Sequence, residues 1–403
     1  MAVKNVVVLG ATGSIGDSTL DVIRRHPDKF NVSALSARQN VAKPYSLCVE
    51  FKPNVIVIET AVAARELAAS LKQAGIATEV KHGEASLSEI AGATEVDVVV
   101  TGIVGAAGLL STIAAVAAGK RVLIANKEPL VMLGREIVSM AGESGAEIIP
   151  LDSEHNALFQ CLPDSYRVGK TDGFKEVRRV LLTGSGGPLR QLSMEEMARV
   201  TPGEAIAHPN WSMGPKISVD SATLMNKGLE LIEACCLFSI APQHVEVVIH
   251  PQSTIHSMIE YCDGSILAQM GCSDMRIPIA HGLGWPERIE SGAANLDFSN
   301  LRSLDFEAPD LDRFPCLRLA IEAAQVSGTA PTILNAANEV AVDSFLNEKI
   351  PFTAISQIIE STLNAVAVDA SQNLDNVLAA DHAARQFATA SIQKYEAGRS
   401  AQS

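Results

Sequence analysis

VVVLGATGSIGDSTLDVI, residues 6–23, changes texture twice. The apolar run at 6–9 lacks polar alternation, the pattern of a strand buried on both faces. Gly10, Gly13 and Gly16 follow in a G-x-x-G-x-x-G spacing, and a segment of helical length comes next. Such glycines permit a tight turn and close backbone approach, and the free N–H groups of a helix start attract a pyrophosphate. In this strand–turn–helix setting the triplet predicts a dinucleotide site, although glycines also serve purely structural turns.

Outward from that turn, short apolar runs recur: KNVVVLG, FNVSALS, PNVIVIE, VDVVVTG, RVLIAN and AEIIPLD, with helix-length segments between most of them. This predicts an N-terminal doubly wound, Rossmann-like α/β domain over residues 1–150. An NAD site places an acid about 20 residues beyond the glycines to bind the ribose 2′-hydroxyl. Here the second strand ends in ARQN, with Arg38 and no acid, which suits the 2′-phosphate of NADPH. Asn126, Lys127 and Glu128 directly follow the strand RVLIA, at the strand end where α/β sheets bind ligands.

Residues 98–119 carry no charge. Their Val-rich run, glycines and Ala-rich segment predict a buried strand–turn–helix and no membrane segment. With 32 basic against 46 acidic residues the chain is at −14, which disfavours a nucleic-acid partner. Seven cysteines, an odd number without a C-x-x-C pair, predict reduced thiols in a reducing compartment.

The chemistry gathers in the middle of the chain. AEIIPLDSEHNALFQ, residues 146–160, leaves a buried run with Asp152, Glu154 and His155 crowded together. In an extended segment residues two apart point the same way, so Asp152 and Glu154 converge while Ser153 faces elsewhere. Two close carboxylates raise each other's pKa, and a divalent cation removes that conflict. Oxygen donors without cysteine suit Mg²⁺ or Mn²⁺. An N-cap at Asp152 or Ser153 for the helix HNALFQCL fits the same residues.

A third ligand has to come from elsewhere. SVDSATLMNKGLELIEA, residues 218–234, reads as one helix, and its Glu230 and Glu233 lie one turn apart, so spacing does not choose between them. Ser221, Asn226 and Lys227 add a hydroxyl, an amide and an ammonium group for a phosphate. In LLTGSGGPLR, residues 181–190, Ser185 and the loop N–H groups offer an anion cradle. Trp211 lies in AHPNWSMGP, a stretch that cannot be helical, and is either a water-excluding lid or a docked loop anchor. His250 and His256 belong to a segment with a hairpin turning at Asp263 and Gly264, and are read as structural. These motifs place a central α/β catalytic domain at 151–285. Residues 286–312 read as a linker, and 313–403 as a small all-α helical bundle with a frayed polar end.

Taken in order, GATGSIG, ANKE, LDSEHNALFQ, GSGGPLR, HPNWSMGPKISVDSATLMNKGLELIEA and HPQSTIHSMIEYCDGS resemble the 1-deoxy-D-xylulose 5-phosphate reductoisomerase family along nearly the whole chain. The resemblance implies an NADPH- and divalent-metal-dependent enzyme of the non-mevalonate isoprenoid pathway, usually a cytoplasmic homodimer in bacteria. Its phosphosugar substrate would be rearranged and reduced to 2-C-methyl-D-erythritol 4-phosphate. It implies Asp152, Glu154 and Glu230 as metal ligands. Substrate contacts fall on Lys127, Ser153, Ser185, His208, Ser221, Asn226 and Lys227, with Trp211 as the lid aromatic. Cofactor contacts fall on Thr12, Gly13, Ser14, Ile15, Arg38, Gln39, Asn40, Asn126, Glu128 and Gly214. Two departures stand out. Arg38, Gln39 and Asn40 replace the frequent Gly-Lys-Asn, and TGSGGP replaces TASGGP.

Overall fold

The computed structural model describes residues 2–163, 166–169, 174–211 and 213–400, the side chains of 397–400 excepted. All six apolar runs of the first 150 residues form strands. These are β1 (Lys4–Leu9), β2 (Phe30–Ala37), β3 (Val55–Ile58), β5 (Val98–Thr101), β6 (Arg121–Ile124) and β7 (Glu147–Pro150), and a short β4 (Glu79–His82) joins them. They form one seven-stranded sheet in the order β4-β3-β2-β1-β5-β6-β7, parallel at every pairing. β4, sequence EVKH, escaped the sequence reading because it is a polar, half-exposed edge strand with no apolar run.

Helices α1 (Ser14–Arg25), α2 (Ala42–Phe51), α3 (Ala61–Gln73), α4 (Glu84–Gly92), α5 (Leu109–Ala117) and α6 (Glu128–Ser144) alternate with the strands. Sheet residues such as Val6, Val7, Val8, Val99 and Val100 are fully buried beneath them. The glycine turn has two steric requirements. Gly10 has φ +80°, and a Cβ there would meet the Gly102 carbonyl oxygen at 2.6 Å. A Cβ on Gly16 would come within 2.5 Å of the Ala11 backbone, so α1 reaches the end of β1 only with glycine here. The uncharged stretch 98–119 is β5, a turn and α5. Among the described residues no helix is long and apolar enough to cross a membrane.

After β7 comes α7 (Ser153–Cys161), followed by a second sheet of β8 (Val177–Gly184), β9 (Val245–Ile249), β10 (Ile255–Tyr261) and β11 (Ile266–Met270). Its order is β11-β10-β8-β9, with β8 and β9 parallel and the other pairings antiparallel. The expected hairpin turn falls between β10 and β11, where Gly264 has φ +85°. Between β8 and β9 lie the short helices α8 (Met194–Met197) and α9 (Pro202–Ala205), then α10 (Pro215–Ala222) and α11 (Met225–Leu237).

The single helix expected over 218–234 is therefore two. The chain breaks at Thr223 and at Leu224, which adopts a left-handed φ of +60°, a conformation rare for a bulky residue. Thr223 helps close the break, since its hydroxyl donates to the Val219 and Asp220 carbonyls and accepts from Met225 N. No glycine or proline marks this break, so local sequence rules pass over it. α12 (Arg276–Gly284) returns to the first sheet and packs on α1, β6 and β7.

Residues 286–312 contain no helix and touch a sheet only where Glu307 bridges to Ile249. Then follow α13 (Pro315–Val326), α14 (Ala330–Leu346), α15 (Ala354–Ala365) and α16 (Leu374–Ser400). Leu317 and Ala320 on one helix, and Ile355, Ile358 and Ile359 on another, are buried as their helical spacing predicts. α14 packs on α15 and α16, and also on α6 and α10, so the helical layer reaches the dinucleotide-type sheet and the central segment. α16 runs into the polar end as far as Ser400; residues 401–403 lie outside the described residues.

Candidate active site

Strand order reverses between β1 and β5, the topological switch point at which open α/β sheets bind ligands. At the C-terminal ends of these strands lies a cleft of about 370 Å³. Its lining includes Gly13, Ser14 and Ile15 after β1, Gly102 and Ile103 after β5, and Asn126, Lys127 and Glu128 after β6. Asp152, Ser153 and Glu154 after β7 face the same space, as do Ser185, Ser221, Asn226, Lys227 and Glu230. His208, Trp211 and Gly214 complete the set of expected residues that line it. Thr12, Arg38, Gln39 and Asn40 do not line the cleft; they follow β1 and β2 beside it.

Of the two local routes the sequence left open, the carboxylates come together by the helix start rather than by strand alternation. Asp152 is the N-cap residue of α7, and Glu154 lies in the first helical turn rather than in an extended segment. Asp152 makes no side-chain capping bond there, so its carboxylate is available to the cleft. Glu230, on α11, completes a trio in which one oxygen from each carboxylate lies within 4.8 Å of the others. Two ammonium groups offset part of the trio's charge. Lys127 Nζ lies 2.6 Å from Asp152, 2.9 Å from Glu230 and 2.8 Å from the side-chain Oδ1 of Asn226. Lys227 Nζ lies 2.7 Å from Glu154 and also contacts Glu230. Lys227 is thus drawn to the acids rather than left free beside Ser185, because buried carboxylates attract the nearest cations.

Burial pushes the Asp152 carboxyl up to about 7; Lys127 opposes this, while Glu230 and Glu154 add to it. Burial also works against ionisation of Glu154, but the Lys227 ammonium and the Ser153 hydroxyl outweigh it and hold that carboxyl well below the usual range. For both lysines burial disfavours the charged form, yet the surrounding carboxylates prevail and keep their pKa values raised. The donor set is therefore all oxygen, tightly grouped, and fits a hard divalent cation.

The residue pair that spacing left open now separates. Glu230 lines the cleft, whereas Glu233 does not and forms a second group with Asp152 and His155. His155, fully buried, donates from Nε2 to the Glu230 carbonyl at 2.8 Å. That bond assigns the proton to Nε2, so Nδ1 presents its lone pair to Glu233 Oε2 at 3.4 Å. Burial, reinforced by the Asp152 charge, raises the Glu233 pKa well above the ordinary range. His155 ties α7 to α11, the two helices that carry the trio.

On the other wall, Ser185 Oγ accepts from Gly187 N at 3.1 Å and meets His208 Nε2 at 2.9 Å. His208 Nδ1 accepts from the backbone N–H groups of Asn210 and Trp211, so the proton is on Nε2 and His208 donates to Ser185. The Asn210 amide holds the loop to the Pro251 carbonyl at 2.8 Å, and the Trp211 ring lies 6.0 Å from His256. Ser212 of this loop lies outside the described residues. His256, read as structural from the sequence, lines the cleft, as do Met275, Lys216 and Asp220. Lys216 and Asp220 look like an ordinary surface pair one helical turn apart, so nothing local marks them.

On the dinucleotide side, Gly13 precedes α1 without a side-chain cap, leaving N–H groups directed outward. Asn126 donates to the Gly105 carbonyl at 2.9 Å. Glu128 is buried against Lys216 at 2.9 Å. Asn40 accepts from Ala42 N and opens α2, and Gln39 reaches Glu59 at 3.3 Å. The Arg38 side chain is 87% exposed and only loosely paired with Glu59, at 3.6 Å.

Comparison with known proteins fits this geometry. The chain is 58% identical over 386 residues to the 1-deoxy-D-xylulose 5-phosphate reductoisomerase of Ectopseudomonas mendocina, covering 96% of this chain and 98% of that protein. It belongs to the 1-deoxy-D-xylulose 5-phosphate reductoisomerase family. The reductoisomerase of Pseudomonas aeruginosa strain PAO1 is 56% identical over 387 residues, 96% of this chain and 97% of that one. The family profile described as 1-deoxy-D-xylulose 5-phosphate reductoisomerase matches residues 6–134. Its C-terminal domain profile matches 148–238, and a further DXP reductoisomerase C-terminal domain profile matches 270–387. Among solved structures, a DOX-P reductoisomerase in complex with NADPH, fosmidomycin and magnesium superimposes with a TM-score of 0.94 at 46% identity, covering 97% of this chain and 98% of that one. The Zymomonas mobilis reductoisomerase in complex with NADPH gives 0.89 at 46% identity, with 97% and 99% coverage.

Proposed function

We propose that this reductoisomerase converts 1-deoxy-D-xylulose 5-phosphate to 2-C-methyl-D-erythritol 4-phosphate with NADPH and Mg²⁺ or Mn²⁺, in the isoprenoid precursor pathway. The observation that carries the reading is the trio of Asp152, Glu154 and Glu230, gathered within 4.8 Å and facing the same cleft as the glycine turn. Bound there, a divalent cation supplies Lewis acidity toward the ketose oxygens and NADPH supplies the hydride.

The chain's own residues do the remaining work. Asp152, Glu154 and Glu230 hold the cation, and Lys127 and Ser153 lie beside the reacting end of the sugar. Ser185, His208, Ser221, Asn226 and Lys227 grip the phosphate, and that remote binding orients the end that rearranges. Trp211 closes over the sugar and excludes water. Ser14 and Ile15 flank the dinucleotide after Gly13, with Thr12, Asn126, Glu128 and Gly214 completing its pocket. Arg38, Gln39 and Asn40 take the 2′-phosphate end. Residues 1–150 then form the cofactor domain, 151–285 the catalytic domain, 286–312 a connector and 313–403 a helical brace.

Two further assignments belong to this reading. The seven free thiols suit the reducing cytoplasm. The protein pairs as a homodimer through the edge strand β11, where Ile266 and Leu267 are half-exposed beside an unpaired strand edge.

The test is NADPH oxidation with the deoxyketose phosphate. Turnover is expected, to be abolished by EDTA and restored by Mg²⁺ or Mn²⁺; full activity in the chelator would contradict the reading. Cofactor choice has its own test. A hydrogen bond to a charged group contributes about 1.5–3 kcal/mol, so Arg38→Ala should raise KM for NADPH roughly ten- to a hundredfold. KM for NADH should stay as it was, and equal changes for the two cofactors would exclude Arg38 from the phosphate site.

A further inference from the structure

Lys216 is a cleft-lining cation to which the reaction above assigns no task. Its ammonium lies 2.9 Å from Glu128 Oε1 and 2.8 Å from Asp220 Oδ2, and both acids are buried. Three separate parts of the chain meet at this group. Glu128 opens α6 directly after the β6 strand end. Lys216 is in the first turn of α10, two residues beyond Gly214 and at the root of the Trp211 loop. Asp220, one turn on, accepts a 2.8 Å hydrogen bond from Asn338 Nδ2 of α14.

The neighbouring residue of α14 braces a second segment, the turn that follows the cleft-lining Val104. Glu339 is held by Arg385 of α16 at 2.6 Å, and its carboxylate packs on Gly105, 3.3 Å from where a Cβ would stand. Gly105 in turn receives Asn126 through its carbonyl. The helical layer thus touches the cleft-lining Asp220 and the Gly105 turn beside the cleft while remaining outside it. Burial disfavours the charged form of Lys216, but Asp220 and Glu128 outweigh it and keep the group an ammonium. Breaking such a buried arrangement leaves uncompensated charge, which the local backbone must move to relieve.

We propose that Lys216 is a positioning residue for the reductoisomerase reaction: it pins the root of the Trp211 loop to Glu128 and Asp220, and Asn338 extends that constraint into the C-terminal helices. The role rests on the reaction assigned above and deepens it. A displacement of about 1 Å in a reacting geometry costs on the order of a hundredfold in rate, which sets the expected size of the effect.

The experiment compares wild type, Lys216→Met, Lys216→Arg, Asn338→Leu and the Lys216→Met/Asn338→Leu double variant, each with Mg²⁺, NADPH and substrate. Lys216→Met should lower kcat per folded molecule about a hundredfold, while Mn²⁺ affinity measured by calorimetry stays at the wild-type value. Lys216→Arg should recover most of the rate. Asn338→Leu, outside the cleft, should lower kcat about tenfold, and the double variant should be no slower than Lys216→Met, because the two residues act through one constraint. Wild-type kcat in Lys216→Met or in Asn338→Leu overturns the role, as do losses that multiply in the double variant. If Lys216→Met does not fold, Asn338→Leu and Lys216→Arg still decide: wild-type kcat in the first, or none recovered in the second, overturns it. A wild-type protein that fails to oxidise NADPH overturns the assigned reaction itself, an outcome distinct from normal turnover that ignores Lys216.

Discussion

Glu154→Gln is expected to lower NADPH-dependent turnover of the deoxyketose phosphate by roughly 10²–10³-fold, the scale for removing an electrostatic contact on which the transition state depends. The native carboxylate is held ionised against the effect of burial by Lys227 at 2.7 Å and by the Ser153 hydroxyl. Gln keeps the shape but removes the charge, and can turn an N–H donor toward an ammonium that has nothing to accept it. Mn²⁺ affinity should fall by at least about one to two orders of magnitude, since even outer-sphere changes cost that much. NADPH binding, followed by fluorescence, should be nearly unchanged because Glu154 pairs with Lys227 and Ser153, neither of which is assigned to the cofactor. Wild-type turnover and wild-type Mn²⁺ affinity together would remove Glu154 from the ligand set.

Lys127→Met carries the second large effect, and it appears in stability as well as in rate. In the wild type one ammonium spans Asp152, Glu230 and the side-chain Oδ1 of Asn226 inside a buried cluster. Removing one member of a buried ionic group costs about 3–5 kcal/mol. That loss should be read as a lower urea midpoint in EDTA. Asp152 has a partial escape by taking up a proton, since burial already pushes its carboxyl up to about 7. Saturating Mg²⁺ should narrow the gap to wild type, because the ion restores positive charge to the acids and binds only the folded state. Turnover should fall in either case, Lys127 lying beside the reacting end. An identical deficit with and without Mg²⁺ would show that the methionine disturbs packing rather than charge.

Both predictions depend on residues that differ in how visible they were beforehand. Asp152 and Glu154 could be seen as a pair because crowded charge after a buried run is unusual. Of the two local arrangements the sequence allows, strand alternation and a helix start at Asp152 or Ser153, the helix start is the one that brings them together. Glu230 and Glu233 could not be told apart by spacing, since one helical turn separates them. What separates them is the tertiary packing of α11: Glu230 meets the cleft, and Glu233 turns to His155 of α7. His256 looked structural for a similar reason, because a lone histidine in a hairpin has no local pattern that places it in a cleft.

By itself the sequence determined the parallel α/β layout, the glycine turn, the helical C-terminal layer and, through its ordered motifs, the family. Those features are encoded by residues close together along the chain: apolar runs, 3.6-residue stripes, and glycines where a side chain would collide with the backbone. Only the tertiary structure decided the polar edge strand β4, the kinked approach to α11, and the meeting of Lys216 with Glu128, Asp220 and Asn338. Each of these is stabilised by partners far away in sequence. Buried charge is tolerable only where the fold brings a counter-charge from elsewhere, and no local window of residues contains that information.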